Sequence, residues 1–287
     1  MKTVAVTGFR GKLGRLLCGR SNFVGMDCDI TDPISIDSSL ETLQRSGVYP
    51  NIIVNCAAIS SIDKCEEDEK RATLVNVRGL YNLHTLFGSK VLNISSDHVF
   101  ASRKPVSEHP INLNDENVIE NIPIEFIPVN QYGWSKFGAE QISKFDGGKT
   151  IRLSRSVSIE DVDLSYYLME LYAGREILVP TFFSRNYLHR EYVVNGIEYF
   201  VSHWDKMPQI VNYGAMKSVR FYDFLILLAK KFKLNSKLVI PREDYYTYMP
   251  ARPRGGGLKV GLAKKLGFPM YSISDTCVRL AKDAHAL

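Results

Sequence analysis

The sequence lacks the features that mark disulfide-rich proteins and structural metal sites. Its five cysteines are an odd number, and none of them stands in a CxxC or zinc-type spacing. These absences argue against a disulfide framework and against a bound metal, so we predict no metal ligands. They favour a reducing compartment, and we therefore expect a cytoplasmic protein.

Long apolar runs and strong charge are also missing. No run approaches the ~18 apolar residues of a membrane-spanning helix, so we expect no membrane association. The N-terminus runs into a strand pattern without the layout of a signal peptide. The net charge of +5 is too weak and too dispersed to indicate a nucleic-acid partner, although it suits an anionic small ligand such as a nucleotide.

The first half of the chain alternates short apolar runs with amphipathic stretches. Continuous apolar runs separated by helical segments indicate parallel strands that are buried on both faces. Strands are predicted at 4–7, 22–27, 51–56, 90–95 and 150–153, and helices at 12–20, 35–46, 66–87 and 131–145. The pattern predicts the α/β class, with a Rossmann-like, doubly wound parallel sheet.

The rest of the chain is less regular. Residues 103–130 are rich in Pro, Asn and Glu, and we expect a loop there. Further helices are predicted at 164–173, 196–203 and 221–232. Because no linker interrupts the chain, a smaller, mixed C-terminal lobe is expected to pack directly on the sheet.

A glycine-rich turn, Thr7-Gly-Phe-Arg-Gly-Lys-Leu-Gly14, follows the first strand and opens the first helix. Gly8 would permit the tight turn, Gly11 a close approach to a pyrophosphate, and Gly14 close packing of helix on strand. The phosphates would lie at the helix N-terminus, where free N–H groups favour an anion. The strand-turn-helix context favours a dinucleotide site over a purely structural glycine turn.

An acidic residue about 20 positions further on should bind the adenosine ribose. Asp27 closes the second strand at that distance, and Asp29 lies just beyond it. Asp27 would favour NAD because a carboxylate repels a ribose 2′-phosphate, whereas Arg10 and Lys12 could attract that phosphate. The choice between NADH and NADPH stays open, and Asp27 could also be only a turn residue at a strand end.

Tyr132 and Lys136 are four residues apart at the start of a predicted helix, so they share one helix face. Lys136 could reach the cofactor ribose and favour the phenolate form of Tyr132 with its charge. Tyr132 could then donate a proton to a carbonyl, and Ser96 could hydrogen-bond the same oxygen. The YxxxK pattern alone is weak, but these residues follow successive strands, where open parallel sheets bind ligands.

With these motifs the chain resembles the extended short-chain dehydrogenases/reductases, and within them the dTDP-4-dehydrorhamnose reductase family. The resemblance spans nearly the whole length. Its matching segments are Thr7–Gly14, Asp29–Asp32, Asn55–Ala58, Asp63–Glu66, Val75–Asn76, Ile94–Phe100, Pro128–Lys136 and Ala251–Arg254.

The resemblance implies NAD(P)H-dependent reduction of a 4-keto group on a dTDP- or UDP-linked 6-deoxyhexose in deoxysugar biosynthesis. The catalytic residues would be Ser96, Tyr132 and Lys136. The cofactor-binding residues would be Gly8, Arg10, Gly11, Lys12, Leu13, Gly14, Asp27, Asp29, Ile30, Ala57, Ala58, Asn76, Tyr132 and Lys136. The substrate-binding residues would be Asp97, His98, Arg155, Arg190 and Arg252.

Within this set, Asn76 would support the lysine or a water, and Arg252 and Arg190 would hold the nucleotide diphosphate. Residues 1–155 would form the NAD(P)-binding domain with the catalytic Tyr and Lys. Residues 156–287 would form a lobe that mainly binds substrate and returns some segments to the sheet. We leave a homodimer open as the assembly state.

Two departures from the family pattern bear on the sugar. The family usually has Tyr at the position of His98, and Trp at the position of Arg155. Related bifunctional 3,5-epimerase/4-reductases carry Cys at the position of His98. His98 could act there as a proton-transfer base, because histidine titrates near neutral pH, or it could only hydrogen-bond the substrate.

Two other functions compete with the reductase interpretation. The regulatory β subunit of methionine adenosyltransferase is similar in its sequence blocks, and it serves as a binding partner. Retention of Ser96, Tyr132 and Lys136 together favours chemistry instead. A sugar epimerase or dehydratase of the same superfamily is disfavoured, because dehydratases usually have an Asp-Glu or Glu-Glu pair after the active Ser or Thr, whereas Ser96 is followed by Asp97-His98.

Overall fold

The structure, a computed structural model, describes residues 2–100, 128–243, 250–252 and 257–285. The strands are β1 (Val4–Thr7), β2 (Phe23–Gly25), β3 (Ile52–Asn55), β4 (Val91–Ser96), β5 (Lys149–Leu153), β6 (Ser156–Val157), β7 (Ile177–Pro180), β8 (Ser184–Arg185), β9 (Leu188–His189), β10 (Ile210–Tyr213), β11 (Val219–Arg220) and β12 (Val239–Arg242). The helices are α1 (Lys12–Cys18), α2 (Pro33–Arg45), α3 (Ile62–Glu67), α4 (Glu69–Thr73), α5 (Gly79–Phe87), α6 (Gln131–Phe145), α7 (Val162–Tyr172), α8 (Arg190–Ser202), α9 (Phe221–Lys231), α10 (Gly261–Lys265) and α11 (Ile273–His285).

The central sheet has six parallel strands in the order β10-β5-β4-β3-β1-β2. Alternate residues of β1 enter different hydrophobic cores, since Val4 and Val6 pack in one cluster and Ala5 in another. The sheet is therefore buried on both faces, which confirms the predicted doubly wound α/β class. The strand order reverses between β1 and β3, and such switch points are where open sheets bind ligands.

The second half of the chain forms small sheets of two strands each. β7 pairs with β12 and β6 with β9 in parallel, and β8 pairs with β11 in the antiparallel sense. β10, which the sequence patterns did not predict, joins the central sheet beside β5. The division into a domain at 1–155 and a lobe at 156–287 remains a prediction.

The predicted helix at 66–87 was wrong as a single element. The helical segment begins at Ile62, breaks at Asp68 and contains a π-helical turn at Leu74–Arg78. Asp68 causes the break because its side chain accepts a hydrogen bond from the Arg71 N–H and so starts a new helix. The helix predicted at 196–203 begins earlier, at Arg190.

Other predicted elements agree more closely. The predicted helix at 131–145 has the bounds of α6, and the strands at 4–7 and 150–153 match β1 and β5 within one residue. Most of the loop expected at 103–130 lies outside the described residues, and so do residues 253 and 254 of the Arg-Pro segment. Within the described ranges, every helix is too short or too polar to cross a lipid bilayer.

Candidate active site

The glycine-rich turn lies at the carboxyl end of β1. Gly8 has a φ of +61°, and a Cβ on it would lie 2.6 Å from the backbone nitrogen of Ala57. A Cβ on Gly14 would lie 2.5 Å from the carbonyl oxygen of Gly8. These contacts leave space only for glycine at both positions. Gly11 and Lys12 are exposed, so the first N–H groups of α1 are open to an anion, and the cradle fits a dinucleotide pyrophosphate.

Arg10 and Asp27, the two residues expected to distinguish NADPH from NADH, bind each other. The Arg10 guanidinium donates to both Asp27 carboxylate oxygens, each at 2.6 Å, and it lies 4.7 Å from the centre of the Phe9 ring. The guanidinium holds the pKa of the Asp27 carboxyl below its usual range. A cofactor that recruits one of these side chains must therefore separate it from the other.

Several other predicted cofactor residues have partners inside the protein. Asp29 accepts hydrogen bonds from the Thr31 N–H (2.9 Å) and hydroxyl (2.8 Å), which form a local turn. Ile30 is only 3% exposed, and its side chain packs against Gly79, so it offers no side-chain surface to a ligand. Leu13 packs against the core, whereas Ala57 and Ala58 are half-buried beside the glycine turn.

Asn76 lies in the π-helical turn and is buried. Its side chain accepts from the Ile59 N–H (2.8 Å) and donates to the Ile59 carbonyl (3.0 Å) and to the Ser135 hydroxyl (2.8 Å). It therefore ties the segment after β3 to the catalytic helix α6. Among the described contacts, none joins Asn76 to Lys136, so its predicted support of the lysine could act only through Ser135 and the helix.

The structure places Arg190 near the glycine turn instead of near the catalytic residues. Its guanidinium binds the Asp161 carboxylate at 2.6 Å, and the Lys12 ammonium binds the same oxygen at 2.8 Å. Arg190 and Asp161 are both buried. Asp161 holds Arg190 there, and its predicted contact with the substrate diphosphate remains a prediction. Asp161 instead joins the start of α1 to the second half of the chain.

The first turn of α6 is fixed from two sides. The Asn130 side chain accepts a hydrogen bond from the Gly133 N–H (2.8 Å), and the Glu66 carboxylate accepts one from the Gln131 N–H (2.7 Å). Both contacts satisfy backbone donors that a helix start leaves without partners. Tyr132 therefore stands at the beginning of the helix, with the predicted lysine one turn further on the same face.

Ser96, Tyr132 and Lys136 come together at the carboxyl end of β4. Ser96 is the last residue of that strand, and its side chain is close enough to the Tyr132 hydroxyl to lower the pKa of that tyrosine. The Lys136 ammonium donates to the carbonyl oxygen of Ile94 at 3.0 Å. The lysine and the serine are both buried. The tertiary structure thus assembles the predicted trio, and its catalytic role remains a prediction at this point.

The ionisation of the trio differs from the expectation that Lys136 favours a phenolate. Burial raises the pKa of Tyr132 to about 12; the nearby Ser96 side chain opposes that rise, and Asp97 and Cys65 add to it. Burial also lowers the pKa of Lys136 to about 8, against the opposing effects of Cys56, Cys65 and Glu140. Tyr132 is therefore a protonated phenol at neutral pH, which is the form that can donate a proton.

A buried ion pair that the sequence analysis missed lies one turn beyond Lys136. Glu140 binds Arg152 of β5 through two hydrogen bonds of 2.8 and 2.7 Å, and it also accepts from the Ser95 hydroxyl (2.5 Å). Both charged side chains are 1% exposed. This pair fixes α6 to β4 and β5. The i,i+4 spacing from Lys136 to Glu140 was a usable signal for a second inward-facing residue.

Asp97 is held by partners from the second half of the chain. Its carboxylate lies 3.2 Å from Arg185 Nε and accepts from the Ser154 hydroxyl at 2.6 Å. It also accepts a longer hydrogen bond from Ser96, at 3.3 Å. Asp97 is buried, so it acts mainly as an anchor for Arg185. Sequence reasoning missed Arg185, and no local pattern around it could have indicated this contact.

His98 stands beside the trio, with its ring centre 5.3 Å from that of Tyr132. Burial lowers the pKa of His98 to about 3, and the charges of Arg185 and Arg252 lower it further, while Asp97 opposes them. The expectation that this histidine titrates near neutral pH was therefore wrong. It is a neutral ring at physiological pH, and Asn130 contacts its Nδ1 at 3.4 Å.

Arg252 is close enough to His98 to influence its pKa, and it therefore lies at the predicted substrate side. Its guanidinium also binds the Asp63 carboxylate (3.1 Å) and the Pro250 carbonyl (3.0 Å). Arg155 follows β5 but pairs with the exposed Asp163 at 2.6 Å. Its predicted contact with the sugar remains a prediction.

The chain is similar to a described protein family and to solved structures. Residues 1–156 match the family described as RmlD substrate binding domain. A dTDP-4-dehydrorhamnose reductase of Mycolicibacterium smegmatis is 29% identical over 149 residues, which cover 48% of this chain and 40% of that protein. A dTDP-4-dehydrorhamnose reductase of Aggregatibacter actinomycetemcomitans is 33% identical over 192 residues, which cover 62% and 60%. The chain thus spans about half the length of these curated relatives.

A solved structure extends the similarity to the full chain. The dTDP-4-dehydrorhamnose reductase of Bacillus anthracis, in complex with NADP, superimposes with a TM-score of 0.78 and 20% sequence identity. The match covers 99% of this chain and 99% of that chain. At this identity the match shows that the two proteins share a fold.

Proposed function

The chain belongs to the RmlD substrate binding domain family, which matches residues 1–156 of its 287, and from this premise we propose that it is an NAD(P)H-dependent reductase of a nucleotide-linked 4-keto-6-deoxyhexose. The observation that carries the proposal is the meeting of the Ser96 and Tyr132 side chains at the carboxyl end of β4, with the Lys136 ammonium buried one turn away. Both relatives named above are called dTDP-4-dehydrorhamnose reductases, which supports a substrate of this class.

Each residue of the trio has a different proposed role at the substrate carbonyl. Tyr132 is protonated at neutral pH, so it can donate its proton to the carbonyl oxygen as negative charge develops there. Ser96 can donate a hydrogen bond to the same oxygen once its long contact with Asp97 is given up. Lys136 is charged below pH about 8, and its positive charge stabilises the tyrosinate that remains after proton transfer.

The glycine turn would hold the cofactor that this reaction requires. Gly8 and Gly14 keep the turn tight, and the exposed start of α1 offers N–H groups to the pyrophosphate. A nicotinamide dinucleotide bound there supplies the hydride. The Arg10–Asp27 pair contains a ligand for a 2′-phosphate and a ligand for ribose hydroxyls, so both NADPH and NADH remain proposed cofactors.

The substrate would lie between the trio and the second half of the chain. Arg252 supplies a guanidinium suited to a diphosphate. The ion pair between Arg185 and Asp97 lies near His98 and would border the substrate there. A histidine with a pKa of about 3 is a poor base for removing a proton from carbon, so reduction without epimerisation is the favoured activity.

The test is cofactor oxidation with a panel of dTDP- and UDP-4-keto-6-deoxyhexoses, followed by NMR of the product. We expect reduction at C4, and we expect Tyr132→Phe to lower kcat by about 10²–10⁴-fold, the usual contribution of a general acid. Tyr81→Phe, at an exposed tyrosine, is the matched control and should keep full activity. If no sugar of this panel drives oxidation and the two variants behave alike, the proposal is wrong.

A further inference from the structure

An open groove in the second half of the chain is lined by lysines and aliphatic side chains. It lies between the loop that follows β10, the segment that leads into α10 and the loop that precedes α11, and its volume is about 900 Å³. Its charged side chains are Lys217, Lys259 and Lys264. This groove, within residues 216–219, 258–264 and 270–274, is called here the lysine groove.

The charge of the lysine groove is of one sign. Among the described residues, no carboxylate lines the groove, and none of the three ammonium groups has an ion-pair partner. The acidic residue next along the chain, Asp275, is already engaged, because it accepts hydrogen bonds from the N–H and the hydroxyl of Ser272, both at 2.7 Å. Like charges around one concave surface raise the local potential, so the groove attracts an anion.

Most of the remaining lining is aliphatic. Leu258, Val260 and Ile273 are at most 7% exposed, whereas Met216 is 46% exposed and leaves apolar surface open to solvent. Methionine, present here also as Met270, is unbranched and adapts to irregular shapes. None of the described lining residues is aromatic, so the groove offers no ring on which a nucleobase could stack. The lining therefore suits an aliphatic chain.

We propose that the lysine groove binds an anionic amphiphile, an aliphatic chain that carries a terminal phosphate. The chain would cover the aliphatic lining, and the phosphate would take the charge of the lysines. A phosphate monoester carries about 1.5 to 2 negative charges at neutral pH, which suits several ammonium groups better than a single carboxylate charge does. The groove also has the size of a small-molecule site, for which about 300–1,000 Å³ is usual.

The lysine groove is distinct from the candidate active site. Its described lining contains neither the catalytic trio nor Arg252. The two places are neighbours, because Leu258 and Val260 pack in one cluster with Val99 and Phe100, which follow His98 in the chain. The proposed ligand is therefore a second ligand, and the experiment must separate it from the nucleotide of the substrate.

The test is isothermal titration calorimetry of the full chain with decyl phosphate, below the concentration at which it forms micelles. We expect one site, with an affinity about tenfold or more above that for decanol or for inorganic phosphate, because each of these offers only half of the contacts. Decanoate, with a single charge, should bind severalfold more weakly than decyl phosphate. Equal binding of the two would overturn the assignment of a phosphate.

Variants of the lining locate the site. Lys259→Gln combined with Lys264→Gln should weaken decyl phosphate binding about tenfold or more, because two charge-assisted contacts are lost. Met216→Asp should weaken it similarly, because it adds a carboxylate at an exposed apolar position. Lys70→Gln, at an exposed lysine of α4, is the control and should leave the affinity unchanged. Circular dichroism of each variant establishes that it folds.

Three results would overturn the proposal. The first is that decyl phosphate does not bind, and the second is that neither lining variant weakens its binding. The third is competition by dTDP, because the groove would then be part of the substrate site. The titration needs no keto-sugar and no dinucleotide, so its outcome is independent of the proposed reductase activity.

Discussion

The two sides of the candidate site are built differently. The catalytic side rests on the six-stranded sheet and on α6, so backbone hydrogen bonds set the positions of Ser96 and Tyr132. The substrate side comes from short two-stranded sheets and from loops, and single ion pairs hold its side chains, as in Arg185–Asp97 and Arg252–Asp63. We therefore expect the shared fold to fix the proposed chemistry, and the contacts made by the second half of the chain to set the choice of substrate.

Burial differs between some of these pairs. On the catalytic side, Glu140 and Arg152 are both 1% exposed and satisfy each other inside the protein. On the substrate side, Arg185 and Asp97 are also buried, whereas Arg155 and Asp163 are about half exposed. A buried pair is costly to break because one charge is left without a partner, whereas an exposed pair is replaced by water. We therefore expect stability to depend on the first side and specificity on the second.

Glu140→Ala should show the largest effect. It leaves the Arg152 guanidinium buried without its carboxylate, and we expect the free energy of unfolding to fall by about 3–5 kcal/mol. Urea denaturation measures this change. Glu170→Ala, which removes a partly exposed carboxylate from the pair with the exposed Arg175, is the control and should have little effect. Equal losses in the two variants would mean that the catalytic side is not the more rigid one.

Arg252→Ala should act on substrate binding. Loss of a charge-assisted contact with the diphosphate should raise KM for the keto-sugar by about 10–100-fold, with a smaller change in kcat. Arg45→Ala removes an arginine that is 80% exposed on α2 and should leave both constants unchanged. A fall in kcat at constant KM would place Arg252 with the catalytic residues and remove the contrast drawn above.

The pH dependence of reduction should follow Lys136. Its pKa of about 8 means that the ammonium loses its proton as the pH rises through that value, so kcat/KM should fall about tenfold by one pH unit above it. Tyr132, with a pKa of about 12, stays protonated over this range. Lys136→Arg should move the fall to higher pH because arginine keeps its charge. Lys144→Arg, on the exposed side of the same helix, should leave the profile unchanged.

Asp27→Asn should have the smallest effect. The amide cannot hold Arg10 as the carboxylate does, and the released guanidinium becomes available to a 2′-phosphate. We expect the ratio of kcat/KM for NADPH to that for NADH to rise severalfold, and the rise to shrink at high salt. Asp37→Asn, on the exposed side of α2, is the control. An unchanged ratio would show that this pair does not choose the cofactor.

The sequence was most informative where function depends on order along the chain. The glycine turn, the strand that ends at Ser96 and the helix with Tyr132 and Lys136 each carry a local pattern, and successive parallel strands bring their ends to one edge. Arg185 and Arg190 show what the sequence pattern alone could not distinguish. Both are arginines near short strands, and only the tertiary structure shows that Arg185 pairs with Asp97 and that Arg190 pairs with Asp161, which also binds Lys12 of the glycine turn.

The pKa values of the site residues were the property that the sequence predicted least well. The residue type gives His98 and Tyr132 their ordinary pKa values, whereas the structure lowers the first to about 3 and raises the second to about 12. Burial causes both shifts, and burial depends on segments far apart in the chain. The sequence by itself therefore determined five of the six strands of the central sheet, the glycine turn and the candidate trio, because these follow from local periodicity and strand order. Tertiary structure alone decided the charge states and the partners of the arginines, because these depend on desolvation and on contacts between distant residues.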